Sequence, residues 1–364
     1  MDERTNRIIN LAFKTTQLEI EDEYFIKKNY ELCRDEIIDI ATKKKVLPVV
    51  AKCFMNLCID NVFWKEKYDY FKNRNREIID FIIILFKTFN DYGIDKICVF
   101  ENFGALLLSD TDIALYSSGD VDLFADITYK SQITDVLKLF DYYPLNDDKD
   151  NMNIMTEYCK KNGIIRINVA WKLLRRFAMP FKVNLLQYFD WEKTSFYKDT
   201  LIRIPEKNFL MYLCFLRIAV HGYSRSPDIR LYIDTYNSSC NNVDWELVEN
   251  WAIRDNLKTK FYSTAIIAND LIKLNVPDKI LENCRSDKYT KKILKICYDF
   301  DKHSLKYDPS GFNLLKMEAA SDNKTLFGEL FSMLFPSPIW IKEFYCLQNE
   351  SVLKGLIKYY RRLI

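Results

Sequence analysis

No glycine occurs before residue 93 of this 364-residue chain, and this constrains the fold more than any other feature. Glycine, with its free backbone, readily interrupts a regular element. In its absence apolar side chains recur at three- and four-residue spacing, as in Ile37, Ile38 and Ala41, then Val46, Leu47 and Val50. That spacing lays an apolar stripe along one side of a helix, so residues 1–92 are expected to form a helical region. Gly93 follows Asn90-Asp91-Tyr92 and is expected to end the last of these helices in a left-handed cap.

Beyond Gly93 the pattern changes. Short β-rich runs at 96–100 and 121–125, and alternating runs at 153–159 and 163–171, read as strands. Between them Gly104-Ala105 opens an apolar helix, and helical spacing returns at 133–140. From Pro205 onward the chain reads as helix again, over 206–220, 228–236, 244–254 and 257–274, with prolines marking later breaks. The expected organisation is α+β: a helical region at 1–92, a small mixed β-sheet core at 93–204, and a helical domain at 205–364.

Composition narrows the possible partners. Hydrophobic residues make up 49% of the chain, enough to build a core. The 53 Lys and Arg against 51 Asp and Glu leave a net charge of +2, too small a field to draw nucleic acid. Ten cysteines without a CxxC pair, and only two histidines, His221 and His303, argue against zinc. The longest apolar run, 78–86, carries Asp80 and is too short to span a bilayer, so no membrane association is expected. No secretory leader is read at the start, and reduced thiols in a cytoplasm are expected.

The segment richest in chemistry is Ser117-Ser118-Gly119-Asp120-Val121-Asp122. On a strand, residues i and i+2 share a face, so Asp120 and Asp122 are expected to reach one Mg²⁺ together. Such a pair suits nucleotidyl transfer, in which the cation neutralises charge developing at the α-phosphate. The structural alternative is two surface aspartates beside a turn. Upstream, Gly104-Ala105 after the 96–100 strand is expected to offer backbone N–H groups to a triphosphate, unless the glycine serves packing alone.

Strand, Gly-small turn, helix and DxD on the next strand form the layout of the polymerase-β-type nucleotidyltransferase superfamily. The sequence resembles a family of uncharacterised bacterial nucleotidyltransferases over nearly its whole length, through EIIDIATKKKVLP (36–48), Gly104 to Leu107, Asp120 to Leu123, INVAW (167–171), VHGYSRSPDIRLYID (220–234), Asp244 to Leu247, and LFPS (334–337). The resemblance implies a nucleotidyltransferase core, ATP or another nucleoside triphosphate as donor, Mg²⁺ on Asp120 and Asp122, and phosphate contacts from Gly104, Ala105 and Ser118. It leaves the acceptor open among a small molecule, a sugar or a peptide. His221, Arg230 and Asp234 match an HG step followed by arginine and aspartate. His221 and Arg230 are expected to touch nucleotide or acceptor, or else the cluster pins two helices together.

The chain departs from the family pattern at three places. Phe103 stands where relatives carry a lysine, Tyr116 where an arginine is expected, and Asn168 where a third acidic residue is expected. Asparagine cannot take a proton at neutral pH, although its carbonyl oxygen can approach a metal. Glu101 and Glu157 are the carboxylates nearest the expected sheet. Two functions follow: an active transferase using Asp120, Asp122 and Asn168, or a degenerate relative kept as a nucleotide- or partner-binding scaffold. An all-helical interaction protein is the third reading, and the alternating run 165–171 speaks against it.

Overall fold

A computed structural model of the chain describes residues 3–12, 18–43, 45–109, 112–145, 155–161, 163, 165–172, 185–220, 230–239, 242–303, 338, 341 and 351–363. It is a mixed helix and sheet protein. Its contacts divide it into a mainly helical unit, Met1–Ile82 with Asn102–Ser118 and Lys207–Met317, and a sheet unit, Ile83–Glu101 with Gly119–Glu206 and Glu318–Ile364.

The helical unit begins with α1 (Glu3–Ala12), α2 (Ile20–Lys43), α3 (Leu47–Asn56) and the first part of α4 (Asn61–Asp91). Pro48 sits in the opening turn of α3, where its missing N–H costs nothing. Tyr30, Phe54 and Trp64 meet edge to face, with ring centroids 4.9 to 6.4 Å apart. The Trp64 indole N–H donates to the Tyr30 hydroxyl at 2.9 Å, so the one polar atom of that buried ring is satisfied. Later in the chain come α7 (Lys207–Val220), α8 (Arg230–Ser239), α9 (Trp245–Arg254), α10 (Lys258–Ile272), α11 (Asp278–Ser286) and α12 (Lys288–His303). Eleven of the fifteen side chains of α10 are buried, because it packs against each of the other five.

α4 ends as the sequence predicts. Gly93 has φ 72°, its N–H donates to the Asn90 carbonyl, and the Ile94 N–H reaches back to Phe89. That pair of bonds is the Schellman cap, and the positive φ is why glycine stands there.

In the sheet unit, β1 (Ile97–Val99), β2 (Asp120–Ala125), β5 (Arg166–Ala170), β4 (Met155–Lys160) and β3 (Tyr142–Pro144) lie side by side in that order. Only the β2 and β5 pairing is parallel; β1, β4 and β3 join antiparallel. Between β2 and β3 runs α6 (Lys130–Leu139), which buries Ile133, Val136 and Leu137. Val121, Leu123, Ile167, Val169, Thr156 and Tyr158 form the buried face. Thr134 of α6 shares a 2.7 Å hydrogen bond with the Tyr158 hydroxyl on this face, and the Trp171 indole donates to Thr156 at 2.8 Å. A second, two-stranded sheet, β6 (Ser195–Phe196) with β7 (Arg203–Ile204), was not evident from sequence. A further helix covers Val352–Leu363. Among the described residues no helix is long and apolar enough to cross a membrane.

Candidate functional site

Period-two alternation in β2 leaves Asp120 and Asp122 half-buried on one face while Val121 and Leu123 are fully enclosed on the other. β5 alternates in the same phase, because Asp120 pairs with Arg166 and Asp122 with Asn168 in the parallel register. On the far side of β5, Asn168 pairs with Glu157 of β4. The half-exposed face therefore carries two cross-strand rows, Asp120 with Arg166, and Asp122 with Asn168 and Glu157. Directly paired residues on one face lie within side-chain reach.

One contact in the second row is direct. The Asn168 Nδ2 donates to Asp122 Oδ1 at 2.9 Å. A donor held on a carboxylate fixes its rotamer. The same face turns aromatic at the other end of β2. Phe124 stacks parallel on Trp191 at 5.5 Å and meets Phe189 edge-on at 5.0 Å and Phe100 at 5.9 Å.

The loop entering β2 is clamped by the helical unit's own residues. Arg74 Nη2 donates to the Tyr116 and Ser118 carbonyls at 2.9 and 3.0 Å. Asn75, fully buried, donates its amide to the Ile113 and Tyr116 carbonyls. Asp112 accepts from Lys52 at 2.9 Å and from the Tyr68 hydroxyl, and it caps the turn over 113–115. Burial pulls the Arg74 guanidinium below its ordinary value. Burial pushes Asp112 up, but the Tyr68 and Lys52 bonds outweigh it, and the carboxyl ends below its ordinary value.

The phosphate-contact candidates lie in the helical unit. The helix α5 (Glu101–Leu108) opens at Glu101, three residues before Gly104. Glu101 itself is in the left-handed region, φ 50°, an uncommon conformation for a residue with a side chain. Gly104 and Ala105 are therefore inside the first turns and buried, and the N–H groups that open the helix are those of Glu101, Asn102 and Phe103. Ser118 is 1% exposed. Arg230 opens α8 and is buried with Asp234. His221 lies outside the described residues, as does the LFPS segment.

Sequence reading did not single out Arg166 or Arg74. Arg166 becomes a neighbour of Asp120 only through strand register, and Arg74 reaches Ser118 across 44 residues of chain. Neither relationship leaves a local pattern.

Chemically, the Asp120 and Asp122 carboxylates offer oxygen donors of the kind hard divalent cations take, with the Asn168 amide N–H holding the second of them. Among the described residues no group of three or more His, Cys, Asp or Glu side chains is arranged to hold a metal. A cation on this pair would complete its shell with water and substrate oxygens, as Mg²⁺ commonly does. A separate surface cleft of about 630 Å³ lies in the helical unit, lined by Glu249, Lys258, Tyr262, Asn283 and Asp287 among others. None of the candidate residues lines it. Comparison of the chain with protein-family models, with curated proteins and with solved structures finds no match.

Proposed function

We propose that the protein is a Mg²⁺-dependent nucleotidyltransferase with a polymerase-β-type core. It would move a nucleoside monophosphate from ATP or another nucleoside triphosphate to a hydroxyl or similar nucleophile on a small molecule, sugar or peptide. The observation that carries this reading is the phase of β2: both carboxylates of the DxD share one half-buried face, in register with Asn168. The resemblance to bacterial nucleotidyltransferases noted above supports it, and a cytoplasmic setting accords with it.

In this reading Asp120 and Asp122 hold the cation, which screens the triphosphate when bound. Asn168 fixes the Asp122 carboxylate through its amide and keeps one oxygen committed. Arg166, opposite Asp120, supplies positive charge beside the carboxylates. The acceptor oxygen attacks the α-phosphorus and forms a P–O bond as its proton passes to solvent water. The bond from the α-phosphorus to the bridging oxygen breaks, and pyrophosphate departs with the electron pair.

A second reading, a scaffold that binds nucleotide without turnover, is favoured by one observation. The residue paired with Asp122 is an amide that donates to it, not a carboxylate that could accept a proton. Thermal unfolding with ATP and Mg²⁺, alongside a pyrophosphate assay over an acceptor panel, separates the two. The enzyme reading expects Mg²⁺-dependent stabilisation by ATP and pyrophosphate release, both lost in Asp120→Asn and Asp122→Asn. Stabilisation without release selects the scaffold. Stabilisation that persists in both variants removes the DxD from either role.

A further inference from the structure

Arg230 is the first residue of α8, a ten-residue helix, and only 7% of it is exposed. Its Nη1 is enclosed and has no hydrogen-bond partner. Asp234 shares the helix face one turn on but does not satisfy that nitrogen. A guanidinium cannot shed its proton to escape burial, so an enclosed N–H without an acceptor keeps its full desolvation cost. Helix geometry adds to the positive character here. The opening N–H groups of α8 have no acceptor within the helix, and its N-terminus is the positive end of the dipole.

We propose that Arg230, with the N-terminus of α8, forms an oxyanion site that accepts a phosphate or carboxylate group. The guanidinium fork matches either group with paired donors, which a lysine cannot do. Every residue in the site belongs to the helical unit. The site does not rest on the nucleotidyl transfer reading, and it would stand if Asp120 and Asp122 bound nothing.

The test uses the full chain in EDTA, titrated calorimetrically and followed in thermal unfolding with inorganic phosphate, and in parallel with acetate, against sodium chloride at matched ionic strength. The wild type is expected to bind one of the two saturably and to unfold at a higher temperature in its presence. Preference for phosphate names a phosphoryl ligand, and preference for acetate a carboxylate. Arg230→Met is expected to bind about tenfold or more weakly, the loss that follows from one charge-assisted hydrogen bond. In anion-free buffer Arg230→Met should unfold at no lower temperature than the wild type, because it removes an enclosed N–H that has no acceptor. A residue that merely pins two helices would instead lower the unfolding temperature on substitution and give no anion response in the wild type. If Arg230→Met does not fold, Arg230→Lys decides: it keeps the charge, loses the fork and should bind more weakly. Asp122→Asn should leave the anion response unchanged. No response of the wild type to either anion, or an equal response in the Arg230 variants, overturns the proposal.

Discussion

Asn168 donates its amide to the Asp122 carboxylate at 2.9 Å across the one parallel strand pair of the sheet. This bond makes the expected third acidic position into a support for the second. It also defines a direct test. Asn168→Asp removes the donor and sets two carboxylates on directly paired positions, where like charges repel. In EDTA the variant should be less stable than the wild type by about 1 to 3 kcal/mol, the cost of a lost bond to a charged group. Mg²⁺ should restore that stability and raise the unfolding temperature of Asn168→Asp more than it raises that of the wild type. Equal Mg²⁺ responses in the two proteins would show that no cation reaches this pair of positions.

Asp112 predicts an acid limb in stability. Its carboxyl is desolvated, yet bonds from Tyr68 and Lys52 hold it below the ordinary value, so the folded group is more acidic than the unfolded one. A depressed carboxylate contributes stability that is fully present above the unfolded value, near pH 4, and is lost as pH falls through the folded one. Asp112→Asn should therefore cost about 1 to 3 kcal/mol at neutral pH, since it weakens a charge-assisted network at a half-buried site. The gap between variant and wild type should narrow below about pH 4. Denaturant unfolding at neutral pH and at pH 3 reads both numbers, and a gap that stays constant with pH would count against the assignment.

Features with a local cause were legible in the chain. The Gly93 cap follows from one residue's backbone freedom, and the strand at 166–170 follows from alternation within five residues. The common face of Asp120 and Asp122 follows from strand period alone. Features whose cause is distant were not legible. Strand register, which sets Arg166 beside Asp120 and Glu157 beside Asn168, depends on residues some 10 to 45 positions apart. β3 and the β6 and β7 pair span two or three residues each, too few for a periodic pattern to stand out. The start of α5 was misread because a positive φ at Glu101 replaces the usual glycine or capping side chain as the marker of the turn.

Cysteine reactivity should separate by burial. Burial pushes the Cys53 thiol up to about 12, with the Glu23 charge adding to it, and burial likewise raises Cys284 to about 12 and Cys98 further. Thiolate is the reactive form, so these three should resist a thiol reagent at pH 8 until the chain unfolds. Cys58 is exposed, in a left-handed turn after α3, and should be modified first among the cysteines of the described residues. Mass mapping after brief labelling reads the order directly. Early labelling of Cys98 would contradict the enclosed position of β1.

Asn75 is the most consequential polar residue in the approach to the DxD strand. Its side chain is fully buried, it donates to the Ile113 and Tyr116 carbonyls, and Arg74 donates twice to its Oδ1 at 3.1 and 2.8 Å. The arginine thereby fixes the orientation of the amide, so that its NH₂ faces the loop at 113–116. Asn75→Ala would strip both carbonyls of their donor and leave Arg74 without that acceptor. The expected loss is about 2 to 4 kcal/mol, from buried polar groups left unsatisfied. Asn75→Asp keeps the acceptor for Arg74 but cannot donate to the loop, so its loss should fall between wild type and Asn75→Ala if the arginine contact carries weight. Because the loop leads directly into Gly119 and Asp120, hydrogen exchange should rise at residues 113–118 in Asn75→Ala before it rises in α2 or α10. Uniform exchange across the helical unit would show that Asn75 supports the whole unit and has no special hold on the loop.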